Sequence, residues 1–268
     1  MSKFKICIDC GHYGKYNQSP VLKEYYESIF AWELGQLMRK YFLEYDVEVI
    51  MTRNNINKDL ALYNRGALSK GCDLFISLHS NASSSSKTDY TVVFYGFNEP
   101  TTKDLGIMLS KKIGEIINTS QSPQILTKKS SLREDEYYGV LRGARAVGTK
   151  YRYIIEHSFH TNLQVAKFLL NNSNIDLLAR SEVDIIVKYF KLDKKDTGKN
   201  MYARVIIENL NVRSIPDWSA KPCQIVKYGD VFTVDSLVSA KNGSTKMYKL
   251  KSGLYITSAV KYVETFYK

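Results

Sequence analysis

Over its first 190 or so positions the chain alternates short β-branched or aromatic runs with longer stretches where apolar side chains recur every three or four residues. The short runs predict strands over 4–9, 47–53, 73–79, 90–96 and 153–158, and the longer ones predict helices over 28–43, 103–118, 163–171 and 175–190. That alternation predicts an α/β domain built on a mostly parallel sheet flanked by helices. Open sheets of this kind bind ligands just beyond the carboxyl ends of their strands. His12 follows the first strand, His79 closes the third and Glu156 lies near the end of the last, so the three are expected to meet on one edge.

The texture changes after residue 191, where a polar, charged stretch containing Gly198 reads as a linker. Beyond it, strand-like runs over 203–207, 231–237, 247–250 and 255–257 are separated by turns such as Pro216-Asp217 and Asn242-Gly243. A small all-β barrel is expected there. The predicted organisation is a domain over 1–192, a linker over 193–201 and a second domain over 202–268.

Composition narrows the setting. No window approaches 18 uninterrupted apolar residues, and the first residues turn acidic too soon for a secretory signal. Synthesis in the cytoplasm without membrane insertion is therefore expected. Cys7, Cys10, Cys72 and Cys223 lack the spacing of a disulfide framework, and Cys7-x-x-Cys10 has no second pair to complete a zinc or redox motif. The net charge of +11 points to a polyanionic partner. Nucleic acid is disfavoured, because the basic residues are dispersed and no recognition signature is present.

All four histidines, His12, His79, His157 and His160, fall in three short segments at predicted strand ends beside carboxylates. A hydrolytic zinc site needs three imidazole or carboxylate ligands, an open position for water and a nearby carboxylate to move protons. His12 and His79 are candidate ligands and Glu156 is the candidate acid/base. For the carboxylate ligand, Glu24 and Glu27 both stand where a helix begins, and periodicity does not choose between them.

Four segments carry a resemblance: Asp9-Cys10-Gly11-His12, Val49-Ile50-Met51-Thr52-Arg53, Ser77-Leu78-His79-Ser80-Asn81-Ala82 and Glu156-His157-Ser158-Phe159-His160-Thr161-Asn162. In order and approximate spacing, the chain from residue 5 to about 190 resembles the zinc-dependent N-acetylmuramoyl-L-alanine amidases of the Amidase_3 type, found in bacterial autolysins and phage endolysins. The resemblance implies a Zn2+ cofactor, peptidoglycan as partner, and hydrolysis of the amide between N-acetylmuramic acid and L-alanine. It favours Glu27, since the family's ligand Glu stands about 26 positions before the Arg of the Thr-Arg pair and Glu27 stands 26 before Arg53. Cys10 and Tyr13 replace the family's usual Pro and Gly, which implies altered loop geometry. Arg65 is expected in a helix-surface salt bridge, and His157 and His160 are expected to hydrogen-bond the strand end.

Leu210-Asn211-Val212-Arg213-Ser214-Ile215-Pro216 and Lys227-Tyr228-Gly229-Asp230-Val231 resemble the opening and first turn of bacterial SH3-like (SH3b) domains, which implies cell-wall anchoring. A phage endolysin, released to the wall after lysis of the membrane barrier, fits this pairing. A zinc peptidase cutting within the stem peptide, or a wall-binding protein without catalysis, are the rival expectations.

Overall fold

The first apolar run of the chain becomes strand β1 (Phe4–Cys10), fully buried from Ile6 onward. It lies between β2 (Val47–Met51) and β3 (Leu74–Asn81), parallel to both. β3 continues in parallel to β6 (Tyr151–Phe159), and β4 (Val92–Tyr95) pairs in parallel with β5 (Gln124–Leu126). Only the joint of β4 with β6 is antiparallel, giving a six-stranded sheet of order β2-β1-β3-β6-β4-β5. The computed structural model describes residues 3–132, 135–195, 200–243 and 245–268, and it divides into two units, Met1–Lys195 and Asp196–Lys268.

Alternation along the strands sorts side chains to two faces. Ile6, Ile8, Leu74, Ile76, Leu78, Tyr153 and Ile155 form one core with helices α1 (Glu27–Phe42), α3 (Lys103–Ile117) and α6 (Asn172–Phe190). Cys7, Phe75 and Ile154 face the other way, against α4 (Gly139–Ala146). Burial on both faces explains why these strands read as near-continuous apolar runs. Two further helices complete the unit, α2 (Leu62–Ala67) and α5 (Leu163–Leu170), the latter capped by the Asn162 side chain.

The α2–α4 contact depends on two glycines. A Cβ on Gly66 would lie 1.9 Å from the Val140 carbonyl oxygen, and one on Gly143 would lie 2.0 Å from that of Tyr63. Backbones this close admit no side chain. Cys7 and Cys10 point to opposite faces of the sheet, Cys10 seated against Gly35 of α1, so the C-x-x-C spacing makes no working pair.

The strands of the second unit pair antiparallel. A five-stranded sheet of order β12-β11-β10-β7-β13 combines β7 (Met201–Val205), β10 (Val231–Val238), β11 (Met247–Leu250), β12 (Tyr255–Thr257) and β13 (Val263–Tyr267). A separate hairpin joins β8 (Asn209–Val212) to β9 (Gln224–Lys227). Ala203, Val205, Leu210, Val212, Val226, Val234, Leu250, Ile256 and Val263 make its core. Of the expected linker, residues 193–195 are tied to the first unit, where Asp46 N–H donates to the Asp193 carbonyl (2.9 Å) and Lys195 N–H to that of Glu44 (2.8 Å). Residues 196–199 lie outside the described residues. Among the described residues, no helix is long and apolar enough to cross a membrane.

Candidate metal centre

β1 hands over to the loop that carries His12 at a point with no room for a side chain: a Cβ on Gly11 would lie 2.5 Å from His79 Cε1 and from the Leu78 carbonyl oxygen. His12 itself has φ +55°, a left-handed conformation that costs a non-glycine residue ~1–3 kcal/mol. The surroundings enforce it. Arg53, buried and stacked 4.8 Å over Trp32, donates to the carbonyls of Cys10 (3.2 Å), Gly11 (3.3 Å) and Ile56 (2.7 Å).

Glu27 opens α1 and is only 2% exposed, whereas Glu24, one turn earlier, faces solvent. Its Oε1 lies 2.8 Å from His79 Nδ1 and 3.1 Å from His12 Nε2, and it accepts from the Ser80 backbone N–H at 3.1 Å. Its other oxygen accepts from Asn17 Nδ2 at 2.7 Å. Burial alone would push the Glu27 carboxyl up, but the hydrogen bonds and charge of His12 and His79 outweigh it and hold the group well below the usual carboxylate range. Sequence reasoning missed Asn17. Its left-handed backbone, φ +53°, is a conformation Asn tolerates, yet nothing in the sequence singles it out from other loop asparagines.

His79 and Glu156 are register partners on the parallel strands β3 and β6, so their side chains stand side by side. Immediately after Glu156 the register slips, with Asn81 opposite Phe159 and Ser158 at φ +62°. Such a bulge bends the strand end and re-aims its side chains. Glu156 lines a cavity of about 340 Å³ together with His12, Glu27, His79 and His160, closed on one side by Leu62, Tyr138 and Val140. Its Oε2 is enclosed without a hydrogen-bond partner. Burial, and then the negative charge of Glu27, raise its pKa well above the usual range.

The remaining two histidines divide. His157 is fully buried on the α1/α6 face, where Nδ1–H donates to the His79 carbonyl (2.9 Å) and Nε2 meets Glu182 Oε1 (2.9 Å). That is a strand-end bond. His160 also reaches back to β3, with Nδ1 3.1 Å from the Ser80 carbonyl and 2.9 Å from its hydroxyl, but it lines the cavity as well. Arg65 departs from expectation. It is 4% exposed and pairs with Asp9 at 2.8 Å in the interior, because the glycine contact draws α2 close against the domain.

The donor set fits a zinc ion. Among the described residues, His12, Glu27 and His79 form the cluster of metal-capable side chains, with ligand atoms all within 4.8 Å of one another. Ligands at tetrahedral angles and ordinary zinc distances stand about 3.3 Å apart. The observed 2.8 and 3.1 Å contacts need little adjustment to reach that. Three N/O ligands leave one position open, as hydrolytic zinc sites require. The enclosed Glu156 oxygen without a partner lines the same cavity.

Comparisons with known proteins bear on the fold and the family. The endolysin of Bacillus phage SPP1 is 28% identical to the chain over 288 residues, spanning 98% of each. The fold matches the catalytic domain of CwlV, an N-acetylmuramoyl-L-alanine amidase from Bacillus (Paenibacillus) polymyxa var. colistinus, with a TM-score of 0.59 at 18% identity over 71% of this chain and 99% of that one. It also matches Cwp6 from Clostridium difficile, with a TM-score of 0.61 at 24% identity over 70% of this chain and 29% of that one. The sequence profile of the N-acetylmuramoyl-L-alanine amidases, Amidase_3, matches residues 6–188, and the chain belongs to that family.

Proposed function

We propose that this peptidoglycan amidase is a zinc enzyme in which His12, Glu27 and His79 hold the ion and Glu156 moves the protons. The observation that carries the reading is the convergence of two imidazoles on one oxygen of a buried carboxylate, beside a second carboxylate with an enclosed, unpartnered oxygen. Zinc bound there would act as a Lewis acid on water and on the substrate carbonyl. Glu156 takes a proton from the attacking water and returns it to the nitrogen of the departing L-alanine. Asn17 keeps the distal oxygen of Glu27 occupied, which leaves Oε1 to face the two imidazoles. Leu62, Tyr138 and Val140 give the cavity an apolar lining beside the reacting groups.

Mass analysis of digested peptidoglycan tests the bond. Stem peptides released whole, with a free L-alanine amine, and glycan left unclipped are expected. Peptides cut internally would replace this reading with that of a zinc peptidase.

The second unit is read as an SH3b-like wall-binding module. Support comes from its small antiparallel architecture, from the Leu210-Asn211-Val212-Arg213 opening with Leu210 and Val212 in the core, and from an excess of ten basic over five acidic residues in 201–268. The two units have separate cores, so a chain ending at Lys195 should fold and keep its zinc site. Sedimentation with purified cell walls is expected to fall sharply for that truncation relative to the full chain. Equal sedimentation would assign wall binding to the first unit. With its relative among phage endolysins, the protein is read as made in the cytoplasm and acting on the wall after release.

A further inference from the structure

We propose that Asp9 and Ser77 form a buried relay that fixes which nitrogen of His79 faces the metal, and that the same carboxylate, through Arg65, secures the backbone leading into His12. The proposal rests on the metal reading above and assigns Asp9, Ser77 and Arg65 as positioning residues.

Asp9 is fully buried on β1, in register with Ser77 on β3 and on the same face of the sheet. Its Oδ1 accepts from Thr52 Oγ1 (2.6 Å) and Arg65 Nε (2.8 Å), and its Oδ2 accepts from Ser77 Oγ (2.7 Å). Burial would raise its pKa, but the charge of Arg65 and these hydrogen bonds outweigh burial and hold it below the usual carboxylate value. Asp9 is therefore an ionised group that only accepts.

A serine hydroxyl has one proton, and Ser77 gives its proton to Asp9. The Ser77 oxygen also lies 3.1 Å from His79 Nε2, and toward that nitrogen it can now only accept. Nε2 must carry the hydrogen. A neutral imidazole with its hydrogen on Nε2 presents a lone pair on Nδ1. Nδ1 lies 2.8 Å from Glu27 Oε1, so without metal a proton joins the pair, and with Nε2–H fixed a cation that displaces that proton meets the Nδ1 lone pair and Oε1 together. The opposite tautomer would place Nδ1–H against Glu27 and fill the ligand position with a hydrogen bond. The relay thus selects the metal-binding tautomer over the self-satisfied one, the role that a hydrogen-bonded outer partner plays for metal-ligating histidines in general.

The other branch runs to His12. Arg65, fixed by Asp9 at Nε, donates from Nη2 to the Cys10 carbonyl at 2.6 Å, next to the Gly11 and Cys10 carbonyls already held by Arg53. These are the peptide groups immediately before the left-handed His12. Thr52 and Arg53, adjacent at the end of β2, therefore serve the two ends of one support, Thr52 on Asp9 and Arg53 on the loop.

The test is zinc affinity of the full chain, read by competition with a chromophoric chelator, for the wild type, Ser77→Ala, Ser77→Thr and Asp9→Asn, alongside the visible spectrum of the Co2+-loaded proteins. Ser77→Ala is expected to weaken zinc binding by about 10–100-fold, with an altered Co2+ spectrum; its metal-free melting temperature falls as well, because Asp9 Oδ2 loses its donor, and Ser77→Thr separates the two effects. Ser77→Thr keeps the hydroxyl and should recover most of the affinity. Asp9→Asn introduces a donor that can turn the Ser77 proton toward His79, and it should weaken binding with Ser77 intact. Unchanged zinc affinity in Ser77→Ala would overturn the relay while leaving the metal site standing. A wild type that binds no zinc would overturn the metal reading itself, and the relay with it.

Discussion

Glu156→Gln is expected to slow wall hydrolysis by about 10²–10⁴-fold, the range for losing a positioned general acid/base, while zinc content and wall binding stay at wild-type levels. Glutamine keeps the shape of the side chain at the register position opposite His79 and loses only the ability to take up and return a proton. The fold should not suffer, because the enclosed Oε2 makes no hydrogen bond that the substitution could break. A pH signature accompanies the loss. Burial, then the Glu27 charge, raise the Glu156 pKa, so the folded metal-free chain keeps a proton that the unfolded chain releases above about pH 4.3. The stability linked to that proton is present below this pH and is lost as pH rises toward the raised folded value. Melting curves of the metal-free wild type should therefore fall relative to Glu156→Gln from about pH 4.3 upward. Parallel curves would show that Glu156 is not the buried titrating group.

Glu27→Gln is the second large effect, and Glu24→Gln is its control. Glu27 supplies the oxygen that both imidazoles face, and its charge is the protein's single anionic contribution to the proposed ligand set. Its loss should reduce metal affinity by more than the 10–100-fold typical of an outer partner, and activity at limiting zinc should fall in step. Glu24 is exposed and outside the cluster, so its substitution should change neither. Turbidity loss of a wall suspension over a zinc titration checks both. Excess zinc restoring the Glu27→Gln variant to full rate would show that this carboxylate contributes affinity alone.

Much of the catalytic unit was legible because periodicity and burial coincide. The runs at 4–9, 47–53 and 73–79 are apolar on one face and mixed on the other, and became β1, β2 and β3. Amphipathic stretches became α1, α3, α5 and α6 within a few residues of expectation. The short helices α2 and α4 were not legible. Each carries an internal glycine, Gly66 or Gly143, which weakens a helical pattern, and only the assembled fold shows that each is the place where one helix backbone touches the other. The same blindness put Arg65 on a surface when it lies inside against Asp9. Strand direction was invisible too, since nothing in the residues of β4 states that it runs against β6. In the second unit, β8, β9 and β13 are three short, largely exposed strands, too brief to stand out from their turns.

For the site, the two candidate histidines and Glu156 were read from strand ends and motif together, because ligands bind at the carboxyl edge of such sheets. The choice between Glu24 and Glu27 could not be made from helical periodicity, because both stand at the helix entrance. Burial separates them, since Tyr26 is the last extended residue and α1 starts with Glu27 directed inward.

The most direct measurement is the zinc content of the purified wild type, Glu27→Gln and Glu24→Gln proteins after dialysis against a weak chelator. One zinc per chain in the wild type and in Glu24→Gln, and none in Glu27→Gln, is the predicted result. Zinc retained by Glu27→Gln, or lost from Glu24→Gln alone, would contradict a centre built from His12, Glu27 and His79.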